Sequence, residues 1–76
     1  MTGHNMAISE EDVKFTQHAA EQMLERGITK SEVIRVMQRG SRIQQKEGWL
    51  VVFGGVAVAY RKINKDTYRV KTVFWL

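Results

Sequence analysis

Cysteine is absent from the 76 residues, which excludes disulfides and thiolate zinc sites and makes a reducing cytoplasm an acceptable environment. Long hydrophobic runs are absent as well. No apolar stretch approaches the ~20 residues of a membrane helix, and the longest candidate, Trp49 to Tyr60, is broken by Gly54 and Gly55. The first residues do not read as a basic segment followed by an apolar one, so no export signal is expected and the chain reads as a soluble cytoplasmic protein, with no membrane partner. Histidine is scarce, with His4 and His18 alone. His18 with Glu21, Gln22 and Glu25 is an incomplete ligand set at ordinary helix spacing, so neither a metal nor another cofactor is expected.

What is present is the make-up of one small folded domain. The length lies near the lower limit for a chain that folds without disulfides or metal, so a single domain is expected in it. A hydrophobic fraction of 43% and a charged fraction of 26% argue against native disorder. The net charge of +4 is unevenly spread: residues 1–28 carry five carboxylates against two cations, and residues 29–76 carry three against ten. The basic charge therefore belongs to the second half, and it favours a polyanionic partner.

Residues 1–12 are expected to be an N-terminal stretch disordered in part, ahead of a single domain over 13–76. "MTGHNMAI" has no periodicity, which would make His4 uninformative. "SEED" at 9–12 suits a short helical turn, and "VKF" after it suits a short strand equally well. A first helix follows, with Thr16 as N-cap, an apolar stripe of Ala19, Ala20, Met23 and Leu24, and Gly27 placed for a left-handed C-cap. Thr29-Lys30-Ser31-Glu32 is a capping box for a second helix. Val33, Val36 and Met37 form its buried stripe and Gly40 ends it.

From Arg42 onward the segments are rich in β-branched and aromatic residues, separated by Glu47-Gly48, Gly54-Gly55 and Asn64-Lys65-Asp66. The expected fold is α+β: two N-terminal helices packed on a three- to four-stranded antiparallel meander. A two-residue turn at Gly54-Gly55 sets Phe53 opposite Val56, Val51 opposite Val58 and Trp49 opposite Tyr60 on the core face. A three-residue loop at 64–66, preferred because Lys-Asp suits the tightest turns poorly, adds Val70, Thr72 and Phe74 to that face. It leaves Arg61, Arg69, Lys71, Val73 and Trp75 on the other. In that register Arg61 lies opposite Arg69, a like-charge pair that destabilises a sheet unless something anionic sits there. The second face then becomes a candidate binding surface or dimer interface.

His18, Gln22, Glu25 and Arg26 share one polar edge of the first helix. Spacing alone fits a solvated helix face as well as a general base or acid with a cationic neighbour. Trp49, Tyr60, Tyr68 and Trp75 could stack on bases, although strand aromatics in so small a protein are more often core.

"FTQHAAEQMLERGITKSEVIRVMQRGSRI", with the closing "KTVFWL", resembles the small bacterial domains of domain-of-unknown-function family 4258. The matching positions are His18, Glu25-Arg26-Gly27-Ile28, Gly40 and Thr72-Val73. Gln22 stands where that family usually has Arg, and Phe74-Trp75 where it tends to have Tyr. The resemblance implies a distant likeness to RelE-type toxins and barnase-like ribonucleases that need no metal. On that reading His18 and Arg26 would be catalytic, and Gln22, Arg61, Arg69 and Lys71 would bind RNA. Three functions are then in view. One is a toxin-like ribonuclease held by an antitoxin-like protein, another is a nucleic-acid binder without catalysis, and the third is a homodimeric interaction module joined through Trp49, Val73 and Trp75.

Overall fold

The computed structural model describes residues 8–76, so His4 lies outside the described residues. A 3-10 turn over Glu10–Asp12 leads into strand β1 (Val13–Phe15), so "SEED" and "VKF" form turn and strand in succession. Helices α1 (Gln17–Arg26) and α2 (Lys30–Arg39) follow, then β2 (Ser41–Gln45), β3 (Gly48–Phe53), β4 (Val56–Asn64) and β5 (Thr67–Trp75). Ile8 is part of the hydrophobic core, and its carbonyl accepts a hydrogen bond from the Gln38 side chain, so the packed chain begins before Val13.

The helices end where their capping residues dictate. Thr16 Oγ1 accepts the Ala19 N–H at 3.0 Å, and Gly27 closes α1 in the left-handed region at φ 67°. The capping box opens α2, with Thr29 Oγ1 accepting from Glu32 N and Glu32 Oε1 accepting from Thr29 N. Those bonds hold the Glu32 carboxyl below its ordinary pKa. Gly40 ends α2 in extended backbone, and its glycine is demanded by crowding: a Cβ there would lie 2.6 Å from the Val36 carbonyl oxygen and 2.5 Å from a Val51 methyl.

The sheet has five strands in the order β1-β5-β4-β3-β2, antiparallel except for β1, which runs parallel to β5. The expected meander of three or four antiparallel strands is therefore corrected to a mixed sheet. The physical reason lies at the edge of β5, whose backbone groups would otherwise face solvent. β1 pairs with Tyr68 to Val70, the Thr16 N–H bonds the Val70 carbonyl at 3.1 Å, and Gln22 Oε1 accepts the Val73 N–H at 3.0 Å. Strand and helix together cover that edge.

The Gly54-Gly55 hairpin has the expected register, with Phe53, Val51 and Trp49 opposite Val56, Val58 and Tyr60. The last hairpin differs at both ends. Its turn has two residues, Lys65-Asp66, because Asn64 Oδ1 accepts the Asp66 N–H at 3.0 Å and stabilises the tight turn with its own side chain. Ile63 and Lys71 are unpaired in the ladder, and these two bulges leave the middle register as expected, including Tyr60 with Val70 and Arg61 with Arg69. Beyond Lys71 the faces exchange. Val73 pairs with Val58 and is fully buried in the core, while Thr72 and Phe74 pair with Ala59 and Ala57 on the opposite face.

Trp75, opposite Val56, also belongs to the helix side and donates its indole N–H to the Arg26 carbonyl at 3.2 Å. The surface imagined from Trp49, Val73 and Trp75 therefore does not exist as one exposed patch. Both helices pack on the face carrying Val51, Val58, Val70 and Val73, against Ala19, Val33, Val36 and Met37.

Candidate functional site

Strand alternation and the observed register sort the uncovered sheet face into rows that run across the strands. Gln45 pairs with Gly48, Arg61 with Arg69, and Arg69 with Lys14, so at one end of the face a polar row ends in three adjacent cations. Farther along lie Ile43, Leu50, Ala59 and Thr72, and then Ser41, Val52, Ala57 and Phe74. The face thus passes from cationic to apolar.

Two local features build the cationic end. Gly48 leaves the floor beside Arg61 empty: a Cβ there would strike the Tyr60 carbonyl oxygen and come within 3.2 Å of Arg61 Cβ. The bulge at Lys71 puts an extra cation between the polar row and the Ala59–Thr72 pair. Lys71 lines an open cavity of about 210 Å³ whose other walls include Gln45, Gly48, Ala59, Thr72 and the carboxylate Glu47. Lys14, Arg61 and Arg69 are exposed, and none of the four cations forms an ion pair with a carboxylate among the described residues.

The residues marked in the sequence are not all brought together. Arg61, Arg69 and Lys71 gather on the open face. Gln22 points at the edge of β5, where its carboxamide oxygen is occupied by Val73 N–H. His18, exposed, lies in the first turn of α1 and Arg26 in its last. Eight residues of helix separate them by roughly 12 Å along the axis, so they bracket Gln22 instead of converging. His18 lies between two anchors of α1 on β5: Thr16, whose hydroxyl donates to the Lys71 carbonyl at 3.4 Å, and Gln22 on Val73. That places the first turn of α1 beside the Lys71 bulge.

Lys14 is the residue missed in sequence. Its place beside Arg69 depends on the parallel pairing of β1, and a three-residue strand gives almost no signal of its partner. Among the described residues no group of three or more His, Asp and Glu side chains gathers as metal ligands would, and no helix is long and apolar enough to cross a membrane.

No curated protein and no solved structure matches the chain. One family does, a domain of unknown function, DUF4258, whose sequence model matches residues 15–75. That match runs from the last residue of β1 to the last residue of β5 and takes in both helices, Arg61, Arg69 and Lys71. The chain belongs to the DUF4258 family.

Proposed function

We propose that the protein binds RNA through the open face of its sheet. The observation that carries this reading is the row Lys14–Arg69–Arg61, three cations on three adjacent strands with no carboxylate paired to any of them among the described residues. Adjacent strands are ~4.8 Å apart, so like charges in one row repel, and a chain of phosphates laid across them removes that cost. Lys71 adds a fourth cation beside the row, and the apolar floor beyond it is suited to the flat faces of unpaired bases. The choice of RNA among polyanions rests on the likeness to RelE-type and barnase-like proteins drawn from the sequence. Titration of a labelled single-stranded RNA, followed by fluorescence anisotropy, tests the reading. Arg61→Glu with Arg69→Glu is expected to weaken affinity tenfold or more, and equal affinity in the variant overturns the proposal.

A second reading adds cleavage to binding, and the position of α1 favours it. The helix carries His18 along the β5 edge beside Lys71, near the rim of the cationic end. There the imidazole would take the proton of a ribose 2′-hydroxyl as its oxygen bonds to the adjacent phosphorus. The bond to the 5′ oxygen breaks, and solvent protonates that oxygen. Arg26, at the far end of α1, would hold a neighbouring phosphate. Incubation with a mixed RNA in EDTA is expected to give cyclic-phosphate ends that vanish in His18→Ala. Equal cleavage by both proteins, or none, removes His18 from the site and overturns this second reading, leaving binding by the open face.

A further inference from the structure

The end of the sheet that carries the cationic row has a second surface behind it. On the helix side, Arg42, Trp49, Tyr60, Lys62 and Tyr68 line a cavity of about 320 Å³, within the size range of small-molecule sites. Each wall follows from the register. Arg42 opposes Val51 and Trp49 opposes Tyr60, while Lys62 opposes Tyr68, so all five side chains leave the sheet on the same side. Tyr60 forms the buried floor, with its ring edge-on to Tyr68 at 5.8 Å between centroids. Trp49 and Tyr68 are half-buried, each with part of its surface in solvent. The cavity therefore offers aromatic surface and two cations, with no carboxylate in its lining among the described residues.

The two cations are held differently. Arg42 is anchored, donating from Nη1 to the Met37 carbonyl at 3.4 Å at the end of α2 and hydrogen-bonding the Tyr60 side chain. A guanidinium has five donors, so this anchoring leaves others for a ligand. Lys62 is exposed, its ammonium 5.9 Å from the Tyr68 ring centroid. The pattern fits a ligand that is flat and aromatic at one end and anionic at the other. An aromatic cage for a cationic ligand would not carry two cations in its wall.

We infer that this cavity is a site for one unpaired nucleotide, its base stacked on Trp49 and Tyr68 and its phosphate held by Arg42 and Lys62. The inference rests on the RNA-binding reading and names where the strand goes after the open face. A groove of about 470 Å³ around the β2–β3 turn, lined by Lys46, Glu47, Gly48, Trp49, Arg61 and Lys62, three cations against one carboxylate, joins the two surfaces. Arg61 belongs to the open face and Trp49 and Lys62 to the helix side, so a strand leaving the Arg61–Arg69 pair passes over Gly48 into the cavity. Position 48 keeps this path low, since any side chain there would stand against Arg61.

The test uses Trp75→Phe, in which Trp49 is the only indole, titrated with an eight-residue adenosine RNA and, separately, with inorganic polyphosphate of similar charge. The RNA is expected to quench Trp49 emission and the polyphosphate to leave it unchanged. Adding Lys62→Gln is expected to weaken RNA affinity about threefold to tenfold, and Trp49→Leu about fivefold or more. Circular dichroism checks that each variant is folded, and Lys62→Gln, at an exposed position, supplies the result should Trp49→Leu unfold. RNA binding that depends on Arg61 and Arg69 but neither quenches Trp49 nor responds to Lys62→Gln overturns the nucleotide site and leaves the open-face reading standing. Equal quenching by polyphosphate overturns base stacking. No RNA binding at all overturns both.

Discussion

The two faces of the sheet are made from alternate residues of the same strands, and β4 displays both. Val56, Val58 and Tyr60 point toward the helices and are buried, whereas Ala59 and Arg61 point away, the first half-exposed and the second exposed. One face is filled by Val33, Val36, Met37 and Ala19 from above. The other brings Arg61 beside Arg69 without covering either. Removal of apolar surface from water dominates the first face, whereas on the second only Ala57 is fully buried and the exposed Arg61 and Arg69 repel each other. A face that costs stability where it could have been neutral is one whose residues answer to something other than folding.

The comparison can be broken most forcefully on the covered side. Met37→Ala removes a fully buried side chain and is expected to cost about 2 to 5 kcal/mol in a urea unfolding titration. Ile43→Ala on the open face is expected to stay within about 0.5 kcal/mol. Similar losses for the two would mean that the faces do not divide the work in this way.

A smaller effect is expected at the second helix cap, which holds α2 over the covered face. Thr29→Ala is expected to cost about 1 kcal/mol in the same titration. Its partner Glu32 has a carboxyl pKa lowered chiefly by the Thr29 backbone N–H, then by the Thr29 hydroxyl. A lowered folded value means the charged form is favoured in the folded state. The cap's contribution is therefore complete above the ordinary value of about 4.5 and is lost as pH falls through the lower folded value. Unfolding followed from pH 7 downward should show this acid-side loss, and Glu32→Gln should flatten it.

The smallest expected change has the opposite sign. Arg61→Gln relieves a cross-strand repulsion and is expected to raise stability by a few tenths of a kcal/mol, up to roughly 1 at low salt. A melting temperature that falls in this variant would show that Arg61 holds the fold, and the contrast between faces would weaken.

How far the sequence revealed these faces differs from element to element. Both helices were readable because Thr16, Gly27, the Thr29–Glu32 box and Gly40 are local signals acting within a few residues. The Gly54-Gly55 hairpin was readable for the same reason, and its register follows from the turn. The Arg61–Arg69 pair also came out, because the two bulges bracket it and leave the middle of the hairpin in step. Simple alternation puts Val73 and Phe74 on the wrong faces because the bulge at Lys71 shifts the pattern by one, and nothing in "RVKTVFW" marks an extra residue. Lys14 and the cavity around Trp49 depend on pairings between distant segments, β1 with β5 and β2 with β3, which spacing along the chain does not encode.

The central claim is that the open face meets phosphates, and salt dependence measures it most directly. RNA affinity would be determined across a series of salt concentrations for the unaltered protein and for Arg61→Gln with Arg69→Gln. Each phosphate contact contributes about 0.7 to the slope of log affinity against log salt on a single strand, so the double variant is predicted to lose roughly 1.4. An unchanged slope, with RNA still bound, would place the phosphates elsewhere and contradict the account.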